Sequence, residues 1–92
     1  MVIGYLYIEF YLPWSHSLKE KRKFLSSLKN RIRNHYNVSV AEVDFQSLWQ
    51  RAGLAMVSIA SERSTVEGIF DRILKEASLL DAQILKEEVE FL

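Results

Sequence analysis

A strand pattern followed by a capped helical pattern is written twice in this chain, and that repetition leaves few folds open to it. Val2, Leu6, Ile8, Phe10 and Leu12, with Gly4 among them, fall on one side of a period-two alternation; Tyr5, Tyr7, Glu9 and Tyr11 fall on the other. Such alternation, rich in β-branched and aromatic residues, marks a half-buried strand. Pro13 ends it, because proline cannot donate to a ladder. Ser17-Leu18-Lys19-Glu20 then has the form of a capping box, with a serine hydroxyl to satisfy a free amide of the first turn and a glutamate three residues on to bond back. Ser64-Thr65-Val66-Glu67 repeats that form after a second apolar strand pattern.

Between and beyond these signals the elements follow in order. Leu18, Leu25, Leu28 and Ile32, with Phe24 beside them and Tyr36 at the end, form a helical stripe. Lys21 falls inside the stripe, so its stem is expected to cover the edge of the core while the ammonium reaches out or pairs with a carboxylate. Asn37 reads as a left-handed stop. Val38 to Phe45 is a second strand of open facing: Val38 and Val40 imply one parity, Val43 and Phe45 the other, as across a bulge. After a turn at 46–50, Arg51 to Ala60 is a third strand, with Ala55, Val57 and Ile59 expected on the core side and Leu54, Met56 and Ser58 opposite. The second helix is expected to bury Val66, Ile69, Phe70, Ile73 and Ala77, with Gly68 off the stripe. A last strand, 83–92, should bury Leu85, Val89 and Phe91 and turn Lys86, Glu88 and Glu90 outward.

Two β-α-β halves with right-handed crossovers predict an α+β, ferredoxin-like βαββαβ arrangement. Its four-stranded antiparallel sheet has strands one and three at the centre and both helices on one face. Ninety-two residues suit one such domain over 1–92. The other face of the sheet is left uncovered by this topology.

Composition narrows the chemistry. Cysteine is absent, which removes disulfides, thiolate nucleophiles and thiolate metal sites and fits a cytoplasmic location. No apolar run approaches the roughly 20 residues a membrane span needs, and Met1-Val2-Ile3-Gly4-Tyr5 has no secretory-signal pattern. The two histidines, His16 and His35, stand at opposite ends of the first helix without ligand spacing, so no metal is expected. Gly4, Gly53 and Gly68 are isolated, and no phosphate loop precedes a helix. Leu12-Pro13-Trp14-Ser15-His16 does not match the glycine-rich loop of acylphosphatases, and no acid-base pair is legible. A cofactor-free, non-enzymatic protein is the expectation.

Zero net charge hides a gradient. Residues 1–36 carry seven Lys/Arg against Glu9 and Glu20, a balance of +5, whereas residues 61–92 carry four basic against eight acidic side chains, a balance of −4. Arg22, Lys29 and Arg33 of the first helix fall beside its apolar stripe, with Lys19 and Lys23 further round. A basic helical face of this kind grips phosphate backbones, which would make RNA or a ribosomal particle the partner; a solvated face that keeps the domain soluble accounts for the same residues at least as well. Tyr5, Tyr7 and Tyr11, with Leu54 and Met56, are expected on the uncovered sheet face. Base stacking is one reading of that face, but no RNP-type motif is present, and an apolar, tyrosine-rich face fits a homo-oligomer contact better. Trp49, in the turn before the third strand, is expected to pack under the hairpin. Contacts between Lys21 or Arg51 and Glu42 or Asp44 would form a small polar cluster there.

Three segments carry a family resemblance: Ser17-Leu18-Lys19-Glu20-Lys21-Arg22, Tyr36-Asn37-Val38-Ser39-Val40-Ala41-Glu42-Val43 and Leu48-Trp49-Gln50-Arg51-Ala52. They resemble the signatures of the YlxP-like family of small bacterial proteins, a domain of unknown function, over essentially the whole chain. One departure is Phe45, where related chains have histidine. The resemblance implies a ferredoxin-like fold. It also implies a link to translation, since some family members are encoded beside translation-initiation and ribosome-maturation genes. It supplies no catalytic residues.

Overall fold

The computed structural model describes residues 1–92, which form β1 (Val2–Tyr11), α1 (Leu18–His35), β2 (Ser39–Asp44), β3 (Arg51–Ala60), α2 (Arg63–Ser78) and β4 (Gln83–Phe91). β1 pairs antiparallel with β3 and β4, and β2 pairs antiparallel with β3, giving the sheet order β2-β3-β1-β4. Leu6, Ile8 and Phe10 of β1, Leu54 and Met56 of β3, Leu25, Leu28 and Ile32 of α1, and Val66, Phe70 and Ile73 of α2 belong to one buried cluster. Both helices therefore cover the same face of the sheet, the ferredoxin-like α+β arrangement expected from the sequence.

The parity of β3 is the reverse of the expectation. Leu54 and Met56 are buried in the core, while Val57 and Ile59 are 44% and 49% exposed on the uncovered face. Antiparallel partners share a side, and β1 pairs Leu6 with Met56, Ile8 with Leu54 and Phe10 with Ala52. The unambiguous alternation of β1 thus dictates the facing of a strand that is apolar on both sides. Ser58 follows Met56 to the core side, where its hydroxyl donates to the Asn37 carbonyl at 2.7 Å.

Both edge strands carry an extra residue. Glu42 and Asp44 of β2 oppose Leu54 and Gly53, so Val43 is the bulged residue that the mixed parity foreshadowed. In β4, Lys86 and Ile84 oppose Glu9 and Phe10, which makes Leu85 a bulge residue, 49% exposed rather than buried. Val89, opposite Leu6, faces the helices but is also largely exposed, because β4 is an edge that α2 only partly covers. Phe91 is half-buried against Phe70, with the Arg63 guanidinium 4.1 Å above its ring.

The two helix starts differ. Ser17 caps α1 as expected, its hydroxyl accepting from the Glu20 amide at 3.1 Å, and the Glu20 carboxylate accepts in turn from the His16 amide at 2.6 Å. The second capping box does not form. β3 stays paired as far as Ala60, only Ser61 and Glu62 intervene, and α2 starts at Arg63 with Glu62 as an N-cap without a side-chain bond. Glu67 pairs instead with Arg63 at 3.3 Å. At the end of α1, Tyr36 is already extended, and Asn37 is not left-handed. Its amide side chain donates to the Ile59 carbonyl at 3.1 Å, tying the α1–β2 connection to β3. Gly4 lets α2 lie close to the sheet, since a Cβ there would fall 2.5 Å from Val66 Cγ1.

Candidate functional site

The buried stripe of α1 is Lys21, Leu25, Leu28 and Ile32. At about 100° per residue, Arg22, Lys29 and Arg33 lie on one flank of that stripe, with Lys19 and Lys23 further round. Two contacts identify what this flank overlies. Arg33 Nη2 donates to the carbonyl of Val40, near the start of β2, at 3.1 Å, and Lys21 Nζ donates to the carbonyl of Phe45, just past its end, at 2.8 Å. α1 thus runs antiparallel to β2, with its basic flank along that edge of the sheet.

Lys19, Arg22 and Lys23 are exposed, and Lys29 is partly so. None of these four, nor Arg33, forms an ion pair. Arg33 is less free than the others, because it also donates to Asn30 Oδ1 at 3.3 Å. On the opposite flank Arg31 pairs with Glu76 at 3.4 Å, and the same carboxylate accepts from the Tyr36 hydroxyl, which raises the Tyr36 pKa above its ordinary value. Charge is therefore sorted across the molecule, with unpaired cations beside β2 and most carboxylates on α2, β4 and the short segments that flank them.

Lys21 is wholly buried and holds the β2–β3 loop. Its ammonium donates to the carbonyls of Phe45 at 2.8 Å and of Gln46 and Arg51 at 3.2 Å, and lies 3.0 Å from Glu42 Oε2. Charge pairing and carbonyl donation together satisfy a cation that would be prohibitive to bury alone. Phe45 takes a left-handed φ of 62° at this loop's start. Leu48 N donates to the Phe45 carbonyl at 3.0 Å and Leu12 N to the Gln50 carbonyl at 2.8 Å, while the Gln50 side chain reaches the Pro13 carbonyl at 3.1 Å.

That firmly tied loop presents Trp49, 53% exposed, and Leu48, 45% exposed. Trp49 does not pack under the hairpin as its isolation in the turn suggested; no signal in the sequence distinguishes the two outcomes. Trp14 is instead the packed indole, edge-on to Phe24 at 5.2 Å with its Nε1–H donating to the Asp81 carbonyl, on the side of α1 away from the basic flank.

The uncovered sheet face is largely occupied by its own contacts. Leu54 and Met56 are absent from it, as the β3 register requires. Tyr7 is only 7% exposed: its ring lies over Gly53, where a Cβ would fall 2.5 Å from the phenol oxygen, and its hydroxyl donates to Asp44 Oδ2 at 2.8 Å. Burial, then this bond to a carboxylate, push the Tyr7 pKa upward. Arg51 pairs with Glu9 and stacks over Phe45 at 4.4 Å, and Lys86 pairs with Glu88 at 2.9 Å, which raises the Lys86 pKa. Tyr5 and Tyr11 remain partly exposed, Tyr5 opposite Val57. No set of three His, Cys, Asp or Glu side chains is gathered to hold a metal, and no helix is long and apolar enough to cross a membrane.

These features define a small ferredoxin-like α+β protein that carries a group of unpaired cations on its first helix. By sequence, the chain belongs to the family described as "Protein of unknown function (DUF503)", whose pattern it matches over residues 3–88. It is 34% identical over 73 residues to the "Uncharacterized protein YlxP" of Bacillus subtilis (strain 168), covering 79% of each chain. Among solved structures it is similar to the de novo designed protein Foldit4, with a TM-score of 0.58 and 14% identity over 100% of this chain and 97% of that one. It is similar as well to the structural-genomics protein YJCS, with a TM-score of 0.58 and 9% identity over 96% of both. At these identities the structural likenesses speak for the fold alone.

Proposed function

We propose that this chain is a non-enzymatic RNA-binding protein that holds the phosphate backbone of structured RNA, free or within a ribosomal particle, along the basic flank of α1. The supporting observation is that Arg22 and Lys29 on the β2-side flank, and Lys19 and Lys23 further round the outer surface of α1, are accessible and without a carboxylate partner. Unneutralised cations held on a rigid helix attract a polyanion, and they release its counterions on contact. Three to five such contacts give a slope of log K against log salt of about −2 to −4. Fluorescence anisotropy with a labelled RNA hairpin tests this. The wild type should bind at low ionic strength and weaken with that slope, and the double variant Arg22→Glu, Lys29→Glu should lose binding while keeping its circular dichroism spectrum. Absence of salt-sensitive binding by the wild type rejects the reading.

A second reading, self-association through the uncovered sheet face, is favoured by Val57 and Ile59, which are exposed beside Tyr5. Light scattering at roughly 50 µM, a concentration at which a weak contact is populated, should then report a dimer that Val57→Lys dissolves. A wild-type monomer rejects it.

A further inference from the structure

Trp49 has no partner that explains it. An indole is among the largest apolar surfaces a chain can expose, and rigid exposed aromatics concentrate where something docks. Trp49 is 53% exposed, yet the loop that carries it is tied at several points: by Lys21, by Leu12 and Pro13 from the β1–α1 connection, and by its own Leu48 to Phe45 bond. Tying down the backbone that carries an exposed ring removes part of the ordering cost that a mobile loop would incur on binding.

Position supplies the occupant. α1 runs antiparallel to β2, so its basic flank passes from Arg33 over Val40 toward Arg22 at the end of β2, where the loop begins. Arg22 to Arg33 spans about 16 Å of helix. A phosphate backbone following these cations therefore leads toward the indole. Resting on the RNA-binding reading above, we infer that Trp49 is a stacking platform for an unpaired base of single-stranded RNA, with the α1 flank holding the adjoining phosphates. Cations along a track with an aromatic at one end are the combination that sequence-tolerant single-strand binders use. A paired duplex, whose bases are already stacked on each other, would engage the cations without the ring.

The two surfaces can be separated by experiment. Trp14→Phe retains an aromatic against Phe24 and leaves Trp49 as the sole indole. In that background, titration with a short oligoadenylate should quench the remaining fluorescence, and a blunt RNA duplex of equal length should quench it far less. Trp49→Ala should weaken oligoadenylate binding by about tenfold to a hundredfold, the alanine cost of one lost base stack, while duplex affinity stays within about twofold. Trp49→Phe should restore most of the loss. Salt-sensitive oligoadenylate binding with no quenching, and with Trp49→Ala equal to wild type, overturns the stacking role and leaves the phosphate-binding flank standing. Failure of the wild type to bind either RNA overturns both.

Discussion

Lys21→Met deletes the buried charge and keeps the stem that fills the edge of the core. In the wild type the ammonium uses its three protons on the carbonyls of Phe45, Gln46 and Arg51 and lies 3.0 Å from a Glu42 carboxylate that is itself only 16% exposed. The substitution strands that carboxylate and leaves three carbonyls short of a donor. Removing one member of a buried pair costs about 3–5 kcal/mol, a large share of the roughly 5–15 kcal/mol that holds a domain together. At about 4–8 °C per kcal/mol for a chain of this size, the thermal midpoint should fall by roughly 12–40 °C. Glu42→Gln leaves the wholly buried ammonium its three carbonyls but no counter-charge, and should likewise cost about 3–5 kcal/mol. The double variant Lys21→Met, Glu42→Gln should be more stable than Lys21→Met alone, because the stranded charge has gone. Urea unfolding followed by circular dichroism measures all four corners of this cycle. A loss below about 1 kcal/mol in Lys21→Met would refute the reasoning, as would a double variant whose loss is the plain sum of the singles.

Two further outcomes follow from the local environments of Gly68 and Tyr7. Gly68 lies within α2, and a Cβ added there would meet only Arg72 Nη2, at 3.9 Å, so Gly68→Ala should stabilise the protein by about 0.5–1 kcal/mol, seen as a higher urea midpoint. Tyr7 holds its proton more tightly folded than unfolded; its contribution is complete below the unfolded tyrosine value of about 10 and is lost as pH rises from there through the folded value. Stability should accordingly fall above about pH 10, and Tyr7→Phe should flatten that fall. Equal alkaline slopes in the two proteins would dispose of the idea.

Legibility in the sequence tracked how few alternatives each residue had. β1 was readable because tyrosine and glutamate alternate with aliphatic residues, and the first capping box because Pro13 isolates it from the strand before. β3 was not, because Leu54, Met56, Val57 and Ile59 suit either side and only pairing with β1 decides among them. The second capping box gave way to strand pairing that persists to Ala60, a constraint set by a partner far earlier in the chain, at Val2. Lys21 was legible as a cation inside an apolar stripe, and its expected carboxylate partner was found in Glu42. The carbonyl acceptors it meets were not legible, since main-chain groups carry no sequence signature. The same limit hid Trp49: its exposure depends on backbone bonds that hold the loop away from the core.

The sorting of charge across the sheet makes the molecule a dipole with no net monopole. Its two short dimensions are 21 and 19 Å, whereas the screening length is about 30 Å at 0.01 M salt and about 8 Å at 0.15 M. In dilute buffer each pole is felt beyond the far side of the molecule, so an approaching polyanion would turn the protein before touching it. At physiological ionic strength that torque disappears, and a charged neighbour senses either pole only within about 8 Å of the surface.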